Sequence, residues 1–172
     1  MNILAEIHRA KGINIHGNTI HRRAVRAVIC RGRELLMVYS ANVGDYKFPG
    51  GGVDAGESHA QALAREVLEE CGAALARMGE EIGAVIEYNL PMEADFDAFK
   101  MTSQYYFCEV VDGFGLQKLD DYEKNLGFKP LWVDVGEAIR SNKVLMNSNN
   151  KPEWLRREIF VLEYLERMLK DK

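Results

Sequence analysis

Apolar positions along this chain fall into short strand-like blocks over most of its length and then into one helical stripe near the end. Ala24–Cys30 (AVRAVIC) and Glu34–Ser40 (ELLMVYS) are apolar runs separated by the polar turn Arg31-Gly32-Arg33, which predicts a β-hairpin. A short strand at Tyr46–Phe48 leads into a glycine-rich stretch. Ser58 and Gln61 then form a Ser-x-x-Gln capping box that opens a helix over His59–Cys71, and Gly72 supplies its stop. Further strands are predicted at Ala84–Tyr88, Met101–Val111 and Leu131–Val133, with a short helix near Gly136–Arg140. Pro152 introduces an amphipathic segment with Leu155, Ile159, Leu162, Leu165 and Leu169 at helical spacing.

Projected at about 100° per residue, Ala60, Ala64, Val67, Leu68 and Cys71 share one face of the first helix, while Glu66, Glu69 and Glu70 share the opposite face. The projection therefore sets the acids outside the core. Two carboxylates about 5 Å apart repel by roughly 3 kcal/mol at an effective dielectric near 20. Arg65 is the nearest cation on the helix and offsets only one of them. Solvated surface acids are the commoner reading of a lone Glu-Glu pair. A hard divalent cation resolves the conflict in another way, since magnesium takes oxygen ligands and bridges carboxylates to phosphates.

The stretch Phe48-Pro49-Gly50-Gly51-Gly52-Val53-Asp54-Ala55-Gly56-Glu57-Ser58 supplies the other half of such a site. Bare backbone at Gly50, Gly51 and Gly52 permits close approach of a ligand, and the N-terminus of the following helix favours an anion. The basic segment Ile20–Arg26 (IHRRAVR) is a second place to meet phosphate through Arg26, or else a solvated strand entrance.

Composition narrows the class. The 172 residues, 47% hydrophobic and 28% charged, suffice for one domain with a substantial core. A net charge of -4 argues against a general nucleic-acid-binding surface. Cys30, Cys71 and Cys108 form no Cys-x-x-Cys pair and read as reduced, buried thiols rather than a disulfide framework or zinc site. No apolar h-region opens the chain, and no stretch approaches the roughly 18 apolar residues of a membrane span, which points to a cytoplasmic protein with no membrane partner.

Gly51, then five residues to Glu57, then seven residues to Arg65-Glu66-Val67-Leu68-Glu69-Glu70-Cys71-Gly72-Ala73, resembles a complete Nudix box. Ala73 is the one soft departure, standing where that family carries a larger aliphatic residue. The flanking strands extend the resemblance over about Arg22 to Arg140. It implies an α/β fold, a Nudix-type α/β/α sandwich with a mixed sheet, in a single domain spanning residues 1–172. The core would cover about 22–140 and a C-terminal helix about 152–170.

The same resemblance implies hydrolysis of a nucleoside diphosphate linked to another moiety, with Mg2+ or Mn2+ as cofactor and a small-molecule nucleotide as partner, and it leaves a homodimer open. By motif position, Glu69 and Glu70 are the principal metal ligands, and Glu66 is a further ligand or the base. A carbonyl at Gly50 or Gly51 joins them, and Arg65 pins a carboxylate. Glu57 supports the loop–helix junction or contacts metal through water, while Gly50, Gly51, Gly52, Glu57 and Arg26 are the candidates for the substrate phosphates. Nudix enzymes often add an acid from a later loop. Here the stretch LDDYEKNLG offers Asp120, Asp121 and Glu123, of which Glu123 is preferred as base, against the reading of a charged surface loop.

The substrate is left open among nucleotide sugars, nucleoside triphosphates and dinucleoside polyphosphates. Signatures of the NADH and coenzyme A pyrophosphatases are not visible, and Pro91 and Tyr88 miss the marker spacing of the ADP-sugar and diadenosine-polyphosphate hydrolases. Tyr88, Tyr105, Tyr106, Phe107 and Trp132 could stack on a base but read more simply as core. A non-catalytic Nudix module is the alternative, although such modules usually lose a box acid. A DNA-binding regulator and an isopentenyl-diphosphate-type isomerase fit less well, for want of a helix-turn-helix pair and an altered box.

Overall fold

The computed structural model describes residues 2–149 and 151–170. In chain order the elements are β1 (Ile3–His8), β2 (Thr19–Arg31), β3 (Glu34–Ser40), β4 (Tyr46–Lys47), α1 (His59–Cys71), β5 (Leu75–Asn89), β6 (Ala98–Val110), α2 (Asp121–Leu126), β7 (Phe128–Asp134), α3 (Val135–Leu145) and α4 (Leu155–Lys170). The sheet runs β1-β5-β6-β2-β3-β4, with β7 also paired to β3. It is mixed. β2 lies parallel to β6, β5 antiparallel to β6, and β1 parallel to β5.

Both faces of the sheet are covered, which is why β2 and β3 read as near-continuous apolar runs. Side chains alternate across the pleat: Val25, Ala27 and Ile29 of β2, with Leu36 and Val38 of β3, pack with α1. Val28, Leu35 and Met37 point the other way, into a cluster with Val135, Ile139, Val161, Leu162 and Leu165 of α3 and α4. The result is an α/β/α sandwich with α4 as its C-terminal helix, as the sequence predicts.

The hairpin turn and the capping box of α1 form as expected, and Gly72 caps the helix at φ 65°. Other elements depart from the sequence reading, with β2, β7 and α3 running beyond their predicted bounds. β1 lies outside every predicted element, and β6 begins at Ala98 rather than Met101. β5 starts at Leu75, well before Ala84, because register shifts between Met78 and Gly83 break the strand period there. The stretch read as a loop around Tyr122 is helix α2, opened by a reciprocal capping box between Asp120 and Glu123.

The face of α1 also needs correction. Ala62, Leu63, Val67, Glu70 and Cys71 are its buried residues, whereas Ala60 and Leu68 are exposed. The buried side is therefore turned toward Glu70, and that acid, expected outside the core, is 1% exposed. Polar partners from the glycine loop and β4 make this burial tolerable. Cys71 and Cys108 are buried as expected, but Cys30 is exposed. Among the described residues, no helix is long and apolar enough to cross a membrane.

Candidate active site

The glycine loop is laid against β2 by backbone hydrogen bonds. The Ala27 N–H donates to the Pro49 carbonyl, Val25 N–H to Gly51 and Val53 N–H to the Arg23 carbonyl, at 2.8–3.0 Å. Gly50 is demanded by this path, and Gly51 is closely approached by a side chain. Gly50 has φ 138°, and a Cβ on it would overlap the Val25 carbonyl oxygen, while a Cβ on Gly51 would overlap the Glu66 carboxylate.

Glu70 closes on this loop from α1. Its Oε2 accepts the Gly50 N–H at 2.8 Å and its Oε1 meets the Lys47 Nζ at 2.6 Å. Lys47 also lies 4.4 Å from the Phe128 ring centroid, and 6.0 Å from that of Trp154. Glu66 is held higher than an ordinary carboxyl, first by burial and then by the Glu70 charge, against the opposing pull of Arg65 and Arg26. The two acids thus sit within reach of each other's field.

Arg65 ties the acids to the loop. It donates to both Glu57 oxygens at 3.0 and 2.9 Å, to Glu66 Oε1 at 2.7 Å and to the Gly52 carbonyl at 3.0 Å, with Glu69 at 3.6 Å. Those bonds raise the Arg65 pKa and draw Glu57 down to about 2, with a further contribution to Glu57 from the Asp54 N–H. Glu123 is partly buried on α2, its Oε2 accepting the Asp120 N–H at 2.9 Å. Burial raises its pKa most, and it lies close enough to Glu70 and Lys47 to feel both charges.

Arg26, on the α4 side of β2, donates to the Gly50 carbonyl and is 8% exposed. Burial lowers its pKa first, then the neighbouring Arg157. Behind it runs a buried ion network. Arg157 meets Glu87 at 2.6 Å and Glu158 at 2.8 Å, Arg9 holds the other Glu87 oxygen at 2.6 Å, and Glu158 Oε2 accepts the Phe48 N–H at 2.9 Å. Helix α4 therefore grips the residue that enters the glycine loop.

These contacts gather Gly50, Gly51, Gly52, Glu57, Arg65, Glu66, Glu69 and Glu70 into one continuous patch, with Arg26 joined through Gly50 and Glu123 near Glu70. The aromatic candidates divide differently: Tyr88, Tyr105 and Tyr106 are buried, Phe107 and Trp132 pack against the core clusters. Lys47, Arg9, Trp154 and the Arg157-Glu158 pair carry no motif spacing, and the sequence reading passed over them. Only the polar Arg157-Glu158 pair inside the apolar stripe of α4 was a visible signal.

A family model of the NUDIX domain matches residues 20–157. The chain belongs to the Nudix family. Among curated relatives, RNA pyrophosphohydrolases of Helicobacter pylori strains G27 and ATCC 700392 / 26695 are 41% and 39% identical to it over 66 residues. That match spans 37% of this chain and 43% of each relative. A NUDIX hydrolase from Nitrosomonas europaea superimposes with TM-score 0.59 at 21% identity, over 86% of this chain and 90% of that one. A MutT NUDIX hydrolase from Burkholderia pseudomallei gives 0.50 at 21% identity, over 68% and 85%. These structures share the fold.

Nudix proteins generally use divalent metal ions. Among the described residues, no three His, Cys, Asp or Glu side chains form a ready-made metal cage. The donor set nevertheless suits a hard cation that takes one or two carboxylates and completes its shell with water and substrate phosphate. Glu66 raises the point directly: it is a partly buried acid, under the field of a second acid, facing backbone too bare to crowd an ion.

Proposed function

We propose that this chain hydrolyses a phosphoanhydride bond in a nucleoside diphosphate linked to another moiety, in a reaction that requires Mg2+ or Mn2+. The observation that carries the reading is the meeting of Glu70 and Arg26 on opposite sides of Gly50, one on its N–H and one on its carbonyl. An acid for metal and a cation for phosphate thus flank the same bare residue.

In this reading Glu66, Glu69 and Glu70 hold the ion, with a carbonyl of Gly50 or Gly51. Bound there, it would neutralise charge on the phosphates and acidify a water. Arg65 positions Glu66 and the loop, and Glu57 anchors Arg65. Arg26 and the backbone of Gly50–Gly52 bind phosphate oxygens. Glu123, whose pKa burial raises, accepts the proton of the attacking water.

Nucleotide sugars, nucleoside triphosphates and dinucleoside polyphosphates are the substrate classes in view. The relatives named RNA pyrophosphohydrolase favour a second reading, in which the anhydride is borne by RNA. A panel of all four, incubated with magnesium and with excess chelator, tests both. Magnesium-dependent cleavage into two phosphorylated products is expected. Full turnover in EDTA would overturn the metal, and tight binding without cleavage of any member would favour a non-catalytic module.

A further inference from the structure

A cavity of about 480 Å3 lies at the outer end of the buried ion network, where the ends of β1, β5 and α3 meet the entrance to α4. Its volume is within the range of small-ligand sites. Among the described residues, neither Arg26 nor any acid of α1 lines it, although it shares Arg9, Lys151, Pro152 and Glu153 with the neighbouring hollow that reaches Arg26. Three cations line it, Arg9, Lys151 and Arg156, against the single acid Glu153. Asn89, Met146 and Pro152 complete the wall without charge.

Two of the three cations are uncommitted. Among the described residues, Lys151 donates to the Met146 carbonyl at 3.1 Å but has no acid partner, and Arg156 has neither hydrogen bond nor ion pair. Arg9 is engaged on two sides. It donates to the buried Glu87 from Nε and Nη2 at 3.1 and 2.6 Å, while its Nη1 meets Glu153 at 2.6 Å. The Glu153 side chain is 72% exposed, and a carboxylate so well solvated is a weak partner that an incoming anion can replace. One carboxylate cannot neutralise three cations around one cavity. A compact anion with oxygens pointing in several directions can, because guanidinium and ammonium groups both take phosphate oxygens in charge-assisted hydrogen bonds.

We propose that this cavity is a separate site for a small, multiply charged phosphate anion of the pyrophosphate class, which replaces Glu153 on Arg9 and is held by Lys151 and Arg156. The site goes beyond the hydrolase reading and does not depend on it. Occupancy reaches the glycine loop through contacts already in place: Arg9 shares Glu87 with Arg157, Arg157 holds Glu158, and Glu158 accepts the Phe48 N–H.

Calorimetry with pyrophosphate in EDTA tests the site with no divalent ion present to bridge the anion to the acids of α1. One saturable site is expected, in the millimolar range or tighter and at least about tenfold tighter than for inorganic phosphate. Lys151→Gln combined with Arg156→Gln should weaken it by roughly tenfold or more without changing the Tm, since both side chains are exposed. Glu153→Gln, which removes the competing carboxylate, should tighten it. Hydrogen exchange at the Phe48 amide should change with pyrophosphate in the wild type and not in the double variant. Wild-type affinity in the double variant, equal affinity for phosphate and pyrophosphate, or no saturable binding would overturn the site. Unaltered or weaker binding in Glu153→Gln would overturn the displacement, and an unchanged Phe48 amide the link to the loop. Each of these results leaves the hydrolysis panel unaffected.

Discussion

Lys47 and Glu70 form an ion pair beneath the glycine loop, Nζ to Oε1 2.6 Å, with 13% and 2% of their side chains exposed. Removing one partner of a buried pair leaves a charge with no counterion, at a cost of about 3–5 kcal/mol. Lys47→Met should lose stability of that order without metal. If the proposed divalent cation binds the same carboxylates in the native state, magnesium should raise the Tm of this variant more than that of the wild type. Thermal melts with and without magnesium check it, and equal shifts in both proteins would contradict the coupling.

Glycine positions separate close approach from turn geometry. Gly50 combines φ 138° with contact to the Val25 carbonyl, whereas Gly56 has φ 81° and open space around it. Gly56→Ala should cost about 1–2 kcal/mol, from backbone strain alone. Gly50→Ala should cost more and lower kcat as well, because the loop must shift away from β2 and Glu70. Denaturant melts and steady-state kinetics on the pair distinguish the two.

Arg157 is buried between Glu87 and Glu158. Arg157→Met should therefore destabilise by about 3–5 kcal/mol, a larger loss than that of an exposed pair such as Lys143–Glu163, where about 0–1 kcal/mol is at stake. Comparison of Arg157→Met with Lys143→Met by urea unfolding is the measurement.

Hydrogen bonds from Arg65 and then the Asp54 N–H favour the charged form of Glu57 and draw its pKa down to about 2, below the ordinary 4.5. A depressed carboxyl contributes stability that is present above its unfolded pKa and is lost as pH falls through the folded value. The contribution should therefore fade between about pH 4.5 and 2 and be absent from the acid limb of Glu57→Gln. Carbon-detected NMR titration of the Glu57 carboxyl should also place its midpoint higher in Arg65→Met.

Glu123→Gln tests the assignment of the base. It should leave metal affinity close to wild type while lowering kcat by roughly 10² to 10⁴-fold. A wild-type kcat on the best substrate would remove Glu123 from the mechanism and leave Glu66 as the base.

The loop and the first helix were legible because their signals are local: glycine clustering, a capping box at Ser58 and a fixed spacing to the acids. The hairpin and the closing helix α4 were legible from apolar runs. What escaped depends on tertiary partners. Glu70 looks exposed in a helical projection, since nothing in α1 announces that Lys47 and Gly50 will meet it. β5 hid behind its register shifts, and β1 gains its place only by pairing with β5 across most of the chain. Helix α2 does carry a local sign, the Asp-x-x-Glu spacing of Asp120 and Glu123, in a short and highly charged segment that otherwise reads as loop.

The central claim is that the acids of α1 hold the metal on which phosphoanhydride hydrolysis depends. Its most direct test is the kcat of Glu70→Gln on the best substrate of the panel, measured across a magnesium titration. The substitution keeps the side chain's shape and removes its charge. A fall of roughly 10³-fold or more, only partly rescued by high magnesium, is the predicted result. Wild-type kcat at any magnesium concentration would contradict the account.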